Sequence, residues 1–282
     1  MTVTAAAIVL CVHGAWVLDW ADEFDGSLIN STNWNVLDDA PMGKPPTWNQ
    51  IEIYRASNVY IESGALVLRT RLDNYTFDGY TFNVSSGRVD TSFKRNMTAG
   101  QRVEVSARLQ LDSAASGIHT AHWLLGYGCW PICSEIDIME CQSPGNLYHG
   151  TEGEGPAPGA DLYQIVTSAY HVGDSCGNET RHTTGGSRYP SAAIPGLNFT
   201  SDYTRFAVEW TATNITYFVN DTLVNAVYPG MPGWSGPWRM PAGPMFVILS
   251  QAYMAHRPKG DPPAWAWPIE QRIDYVRTYS WA

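Results

Sequence analysis

The sequence predicts an all-β protein, a two-sheet antiparallel sandwich. Short apolar segments alternate with period two, clusters of Gly, Pro, Asn and Ser separate them, and no stretch sustains a helical period or a repeat. The chain has 282 residues, 44% of them hydrophobic, so it can bury a substantial core. Because all-β chains of this length normally fold as one unit, we expect a single domain over residues 16–282.

The first half of the chain supplies the clearest strand signals. Residues 17–26 indicate a first strand and turn, and residues 51–54 and 59–70 alternate around Ser63 and Gly64, which is typical of a hairpin. Residues 86–91 and 102–111 also alternate cleanly. We predict that these last two segments are adjacent antiparallel strands.

The second half begins with a stretch rich in Gly, Pro, Ser and Thr. Residues 142–200 are predicted to be mostly loops around one strand at 162–172, where long loops on a rigid scaffold would select substrate. Strands return at 206–210, 215–219, 245–249 and 273–279.

Three acids interrupt an apolar strand. Glu135 and Asp137 alternate with Ile136 and Ile138, so the acids share one face, and a bulge at residue 139 would return Glu140 to that face. The alternative is a solvated edge strand, although edge strands more commonly carry Lys or Pro. The pattern favours three acids on one face of a sheet.

The sequence of residues 130–140, Trp-Pro-Ile-Cys-Ser-Glu-Ile-Asp-Ile-Met-Glu, resembles the active-site strand of glycoside hydrolase family 16, in its bulged, laminarinase-like subgroup. The resemblance implies a concanavalin A-like jelly roll with a substrate cleft across its concave sheet. It implies that Glu135 is the nucleophile, that Asp137 assists it and that Glu140 is the general acid/base. On that basis we expect a raised pKa at Glu140 and an ionised Glu135.

The implied activity is retaining endo-hydrolysis of a β-1,3-glucan or a mixed β-1,3/1,4-glucan. A cell-wall β-glucan transglycosylase would use the same residues, and agar- or carrageenan-type substrates also stay open. A β-glucan-binding module without turnover is the non-enzymatic alternative, although such modules typically lose the glutamates that this chain keeps.

The resemblance runs from about residue 19 to residue 279 and implies further sugar contacts. The substrate-binding residues that it suggests are Trp130, Trp123, Arg88, His171 and Asn49. An ion pair is the alternative role for Arg88, and a turn is the alternative for Asn49. His119 and His122 replace two aromatic residues of the family pattern, and we expect one of them to be a buried, hydrogen-bonded histidine.

Charge and aromatic content narrow the partners. A net charge of −10 and a pI near 5.0 argue against nucleic acids and anionic membranes, while 12 Trp and 15 Tyr offer flat faces on which sugars stack. We therefore expect a neutral polysaccharide as partner, no nucleic acid, no membrane and a monomeric protein.

Five cysteines leave an odd one, Cys11, inside an apolar stretch that resembles a signal peptide over residues 1–15. That stretch has no basic start, so a truncated gene model is the alternative. Cys129, Cys133, Cys141 and Cys176 then allow three pairings, of which we favour Cys141 with Cys176 and Cys129 with Cys133. No Cys-x-x-Cys pair supports zinc.

Eight Asn-x-Ser/Thr sites favour a secreted, extracellular protein that associates with cell walls, although some such sites arise by chance. They are Asn30, Asn74, Asn83, Asn96, Asn178, Asn198, Asn214 and Asn220. No apolar run reaches the length of about 18 to 20 residues that a membrane span needs.

Two-carboxyl glycoside chemistry requires no cofactor. The resemblance does imply a structural calcium ion, with Glu23, the Gly64 carbonyl and Asp274 at matching positions. These are oxygen ligands, which calcium prefers, and the alternative is ordinary surface acids.

Overall fold

Alternating apolar segments fold into strands in every described part of the chain. The computed structural model describes residues 14–41, 50–110, 117–142, 165–177, 181–183, 189–190, 197–231, 239–255 and 261–282. The predicted leader, residues 1–15, lies almost entirely outside this part. Within the described residues the helices are two three-residue 3-10 turns, Ala56–Asn58 and Ala264–Ala266. No helix there has the length and hydropathy that crossing a bilayer requires.

In chain order the strands are β1 (Trp16–Asp22), β2 (Asn35–Val36), β3 (Ala40–Pro41), β4 (Ile53–Tyr54), β5 (Val59–Glu62), β6 (Ala65–Phe77), β7 (Tyr80–Ser86), β8 (Arg88–Asp90), β9 (Gln101–Leu109), β10 (Ile118–Gly126), β11 (Glu135–Gln142), β12 (Ile165–Val172), β13 (Arg181–Thr183), β14 (Tyr189–Pro190), β15 (Thr204–Trp210), β16 (Ile215–Val219), β17 (Thr222–Val227), β18 (Met245–Tyr253) and β19 (Ile269–Trp281).

These strands form two sheets. The eleven-stranded sheet has the order β17-β16-β15-β9-β19-β6-β7-β4-β3, with β1 beside β19 and β5 beside β6. The eight-stranded sheet has the order β13-β12-β11-β10-β18-β8-β2, with β14 beside β12. The pairings are antiparallel except for the parallel pair of β4 and β7. The predicted all-β, two-sheet fold class is confirmed.

The core lies between the sheets because each strand turns its apolar face inward. Leu66, Val105 and Val276 of the larger sheet and Ile136 and Val247 of the smaller sheet belong to one cluster, and all five are 0% exposed. Burying a side chain of this size stabilises the fold by about 1.5–3 kcal/mol before entropy is counted. The central strand β18 is buried along its whole length.

Two tight turns agree with the sequence. Ser63 and Gly64 have φ angles of 54° and 73°, and Asn220 and Asp221 have 46° and 64°. Two successive left-handed residues are the geometry of a two-residue hairpin loop, because its twist matches that of the strands. The hairpins β5-β6 and β16-β17 follow from these turns.

One predicted strand pairing is wrong. Residues 86–91 and 102–111 do form strands, but β8 lies between β18 and β2 in the smaller sheet, while β9 lies between β15 and β19 in the larger one. The connection crosses between the sheets: the Thr91 amide donates to the Val247 carbonyl, and the Gly100 amide donates to the Trp210 carbonyl. Alternation identifies a strand and its inward face, but it does not identify the neighbouring strand.

Candidate active site

The acidic strand β11 lies inside the smaller sheet, between β10 and β12. Its register slips in the middle: Asp137 pairs with Ala169 and Glu140 with Thr167, so Ile138 and Met139 together face one residue of β12. The same slip appears against β10. The predicted bulge is confirmed.

The bulge sorts the side chains of β11 between two faces. Ile136, Ile138, Met139 and Cys141 enter the core, with exposures of 0%, 4%, 1% and 0%. Without the extra residue, Glu140 would point into that apolar layer, because strand side chains alternate. Glu135, Asp137 and Glu140 instead meet polar partners on the other face.

Glu135 and Asp137 each have a hydrogen-bonding partner close by. His171 Nε2 lies 2.7 Å from Asp137 Oδ2, and Trp130 Nε1 donates to Glu135 Oε2 at 2.6 Å. One carboxylate oxygen of Glu135, one of Asp137 and one imidazole nitrogen of His171 all lie within 4.8 Å of one another. Asp137 is 2% exposed. The nucleophile predicted from the sequence therefore has two close, polar neighbours.

Burial and mutual repulsion hold protons on this pair. Burial raises the pKa of Glu135 well above its usual value, and the charges of Asp137 and Glu140 raise it further, against the lowering by His171 and Trp130. Burial and the Glu140 charge also raise the pKa of Asp137. The negative charge of Asp137 beside Glu135 therefore favours a proton on one of the two carboxyls. Our expectation of an ionised Glu135 did not take its burial into account.

Glu140 meets a different histidine. His119 Nε2 lies 2.9 Å from Glu140 Oε1, with the two side chains 12% and 25% exposed. Burial lowers the pKa of His119, but Glu140, Asp137 and Glu52 raise it, and the net shift is upward. The second histidine of the strand, His122, is completely buried against Gln271 at 3.0 Å. Burial lowers the pKa of His122 to about 4, so it is the buried, hydrogen-bonded histidine that the sequence predicts.

A short loop before β11 positions Trp130. The amide of Gly126 donates to the Ser134 carbonyl, and a Cβ at Gly126 would lie 1.9 Å from the Cys133 carbonyl oxygen, so only glycine fits. A disulfide between Cys129 and Cys176 joins this loop to the segment after β12. The Gly177 amide also donates to the Trp130 carbonyl at 2.8 Å.

The cysteine pairing expected from the sequence is wrong. Cys129 pairs with Cys176, with their Cα atoms 5.5 Å apart, so neither of the two expected pairs is formed. Cys141 is fully buried in the core because the bulge turns Glu140, and not Cys141, to the polar face. A thiol on the core side of β11 cannot meet a loop on the other side without a change of backbone register.

The remaining predicted sugar contacts gather beside β10. Trp123 pairs with Asp137 across the strands and donates from Nε1 to Ser250 Oγ at 3.2 Å. The Arg88 guanidinium carbon lies 5.1 Å from the Trp123 ring centroid and 5.8 Å from that of Tyr54. Asn49 lies outside the described residues. The structure thus brings Trp123 and Arg88 together next to the acids.

The residues suggested for calcium lie on the larger sheet. Glu23 follows β1, Gly64 precedes β6, and Asp274 is at an irregularity of β19, so the strand register brings all three to one part of the sheet. Arg277 donates from Nε and Nη2 to the two Glu23 carboxylate oxygens at 2.7 and 2.8 Å. A cation would share Glu23 with this guanidinium.

The role of His119 is the main feature that the sequence did not assign. His119 reaches Glu140 because β10 pairs with the part of β11 that follows the bulge. This alignment arises only when the two strands pair, so it is not visible in the sequence. The spacing of His119, Ala121 and Trp123 could have indicated this role, because it places all three side chains on one face of the strand.

Comparisons with known proteins agree with this site. Residues 47–277 match the family model described as Glycosyl hydrolases family 16. Glucan endo-1,3-beta-glucosidase A1 of Niallia circulans is 26% identical over 93% of this chain, which spans 37% of that protein's length. Beta-glucanase of Rhodothermus marinus is 30% identical, over 94% of this chain and 86% of its own length.

The structure of the endo-beta-1,3-glucanase from Pyrococcus furiosus superimposes with a TM-score of 0.74 at 27% identity, covering 95% of both chains. The family match covers most of the sequence and includes the three acids of β11. The chain belongs to glycosyl hydrolase family 16.

Proposed function

We propose that this protein is a retaining, endo-acting glycoside hydrolase of β-1,3-glucan or mixed β-1,3/1,4-glucan. The observation that carries the proposal is the bulge in β11, which places Glu135, Asp137 and Glu140 on one polar face. Family membership and the names of its relatives, which include glucan endo-1,3-beta-glucosidase and beta-glucanase, support the substrate class.

In the first step, Glu135 attacks the anomeric carbon and a bond forms between that carbon and the Glu135 oxygen. The glycosidic C–O bond breaks as Glu140 gives its proton to the departing oxygen. This step requires the proton of the two neighbouring carboxyls to lie on Asp137, so that the attacking Glu135 is ionised. The Trp130 indole N–H holds the other Glu135 oxygen in place.

In the second step, Glu140 takes a proton from water and the resulting hydroxide attacks the same carbon. The bond to Glu135 breaks, and Glu135 leaves as a carboxylate stabilised by the Trp130 indole N–H. Two inversions at one carbon retain its configuration. In these two steps every proton and electron pair moves between the substrate, water and the side chains of β11.

The test is product analysis on purified polysaccharides. We would incubate the protein with β-1,3-glucan, mixed β-1,3/1,4-glucan, β-1,4-glucan, agarose and carrageenan, following reducing ends, chain lengths and the anomer formed first. The proposal expects new reducing ends from internal cleavage of the first two substrates and a β-anomer. Glu135→Gln is the matched control and should lose about 10⁴-fold or more in kcat.

Other outcomes would contradict the proposal in distinct ways. Chain lengths that redistribute without new reducing ends would identify a transglycosylase. Retained glucan binding with no turnover, and no difference from Glu135→Gln, would identify a binding module. An α-anomer as first product would rule out the two-step mechanism, whatever the substrate.

Calcium at Glu23, the Gly64 carbonyl and Asp274 stays a prediction. Its support is the convergence of the three residues around β19, and its obstacle is the Arg277 guanidinium on Glu23. The melting temperature in calcium and in chelator, for the wild type and Asp274→Asn, decides the matter. An equal melting temperature in both conditions would exclude a structural ion.

We also propose that the protein is secreted as a monomer and acts on cell-wall glucan. The Cys129–Cys176 disulfide suits an oxidising compartment, as do the eight glycosylation sites. Expression in a eukaryotic secretory host, followed by N-terminal sequencing, glycan mass analysis and light scattering, tests cleavage, modification and mass. Retention inside the cell without glycans would contradict secretion.

A further inference from the structure

The acid/base carboxyl of the proposed hydrolase has an imidazole in direct contact with it. His119 Nε2 and Glu140 Oε1 are 2.9 Å apart, a hydrogen-bond distance for either direction of donation. His119 lies on β10 opposite the end of β11, pairing with Gln142. The side chain is only 12% exposed, which limits exchange of its proton with solvent.

A second carboxyl lies behind this imidazole. Glu52 is 1% exposed, accepts from the Tyr253 amide at 2.8 Å through Oε2, and interacts electrostatically with His119. Among the described residues, Glu52 Oε1 and His119 Nδ1 are both buried without a hydrogen-bond partner. A buried unpaired polar atom costs about 1–3 kcal/mol, so each of the two atoms calls for an explanation.

The charges that act most strongly on His119 are those of carboxyl groups. Glu140 and Asp137 face it from β11, and Glu52 faces it from the segment before β4. The strand neighbour across β18 is Ala252, and the next residue on the same face of β10 is Ala121, so neither adds charge. An imidazolium is therefore stabilised chiefly by the Glu140 carboxylate in contact with it, and the net pKa shift of His119 is upward.

We propose that His119 is a positioning residue that shares the acid/base proton with Glu140, so that the histidine and the carboxyl act as one proton-holding pair backed by Glu52. The inference rests on the proposed hydrolase function and adds to it. When the pair holds its extra proton, that proton lies on Glu140 or on His119 Nε2, and it moves along one hydrogen bond.

The proton count closes over the reaction. In the first step the pair gives its shared proton to the departing glycosidic oxygen, which leaves a Glu140 carboxylate beside a neutral His119 that keeps its proton on Nδ1. In the second step Glu140 takes one proton from water, and the pair returns to its starting state. No oxidant, metal or further acid is needed.

The pair predicts a signature in the pH profile. Acid catalysis is lost when the pair loses its shared proton, which occurs above the usual histidine pKa of about 6.5 because the shift is upward. His119→Gln keeps a donor for Glu140 but cannot hold a second proton. The basic limb of kcat/KM should then move to lower pH by about one unit or more.

Two further variants separate this role from a structural one. Glu52→Gln keeps an acceptor for the Tyr253 amide and removes a charge from behind the imidazole, so it should move the basic limb in the same direction by a smaller amount. His122→Gln is the matched control, because that histidine lies on the same strand but contacts Gln271 in the core. It should lower thermal stability and leave the limb in place.

A measurement without turnover completes the test. Nuclear magnetic resonance of ¹⁵N-labelled histidine in the wild type should show an imidazole whose pKa is above 6.5. The pKa of that imidazole should decrease in Glu140→Gln. An unchanged basic limb in a folded, active His119→Gln, or an imidazole that titrates independently of Glu140, would overturn the proposal. Absence of hydrolysis in the wild type would instead contradict the proposed function, and the resonance experiment would still decide the pair.

Discussion

The two sheets hold their carboxylates in opposite ways. In the larger sheet several acids are bound to arginine: Arg102 contacts Glu104 and Glu209 at 2.9 Å each and Asp221 at 3.2 Å. In the smaller sheet the described partners of the β11 acids are two histidines and an indole. Both sheets bury negative charge, but among the described ion pairs those with histidine, which titrates near neutral pH, involve acids of the smaller sheet.

The difference shows in the direction of the pKa shifts. Burial raises the pKa of Glu270 in the larger sheet, but hydrogen bonds from Tyr60 and Arg69 outweigh it and the net shift is downward. For Asp137, burial and the Glu140 charge outweigh His171, and the net shift is upward. Arginine fixes a carboxylate in its charged form, whereas histidine leaves it able to carry a proton. The first arrangement stabilises a fold, and the second permits proton transfer.

The largest effect that we expect is a loss of activity that depends on the leaving group of the substrate when Glu140 is replaced, but not when Glu135 is replaced. Glu140→Ala removes the proton donor, so glycosides with poor leaving groups should lose about 10²- to 10⁴-fold in kcat/KM. Activated aryl glycosides, which need little protonation, should lose far less, and azide should restore turnover with a β-configured product. Steady-state kinetics on both substrate classes measure this.

Glu135→Ala is the matched variant on the other side of the bulge. It should lose both substrate classes equally, with no β-configured azide product, because no covalent intermediate forms. The opposite behaviour of the two variants would exchange their roles. Equal loss in both variants without rescue would remove the two-step mechanism.

The sequence predicted the polar face of β11 because period two and one bulge are local properties. Ile136 and Ile138 fix the core side, and three acids in an apolar strand leave few other arrangements. The resemblance to the family added the roles and the overall fold. Hairpins were predictable for the same reason, since residues such as Ser63, Gly64 and Asn220 adopt left-handed conformations that favour a turn.

Long-range contacts were not predictable in this way. The pairing of Cys129 with Cys176 joins a loop to the end of another strand across 47 residues, and β8 and β9 separate into different sheets although they are close in sequence. The contact of His119 with Glu140 depends on the register of β10 against a bulged neighbour. Burial also changed the proton balance of Glu135, because a strand pattern does not show how deep a side chain lies.

A smaller effect should come from the partner of Asp137. The His171 charge lowers the pKa of Glu135, so His171→Gln should raise it further and move the acidic limb of kcat/KM to higher pH. Weaker orientation of Asp137 should also cost about 10- to 100-fold in kcat/KM, comparable to losing one hydrogen bond to a charged group. A pH profile of the folded variant measures both. An acidic limb that stays in place would show that His171 does not tune the nucleophile.

Because the pKa of Glu135 is raised, its carboxyl destabilises the folded protein at neutral pH, and replacing this carboxyl should increase stability. The folded-state pKa is above the unfolded value of about 4.5, so at pH 7 folding must bury charge or bind a proton. Glu135→Gln should therefore be more stable than the wild type at pH 7 by about 1 kcal/mol, a typical gain at a strained active site. Denaturant unfolding at pH 7 and at pH 4.5 measures this, and the difference should shrink at the lower pH. A variant less stable at pH 7 would contradict the idea.

The smallest effect should have the opposite sign, on the larger sheet. Glu270 receives hydrogen bonds from Tyr60 and Arg69 at 2.9 Å each and contacts Arg272 at 3.0 Å. Its folded-state pKa is lowered below the usual 4.5, so its contribution is fully present above about pH 4.5 and is lost as pH falls through the folded value. Because its arginine partners are 22–32% exposed, solvent screening limits that contribution to about 0.5 kcal/mol. Glu270→Gln should be less stable than the wild type at pH 7, and the difference should close below pH 4. If Glu135→Gln and Glu270→Gln changed the free energy of unfolding in the same direction at pH 7, the contrast between histidine-paired and arginine-paired carboxylates would not explain how this protein separates chemistry from stability.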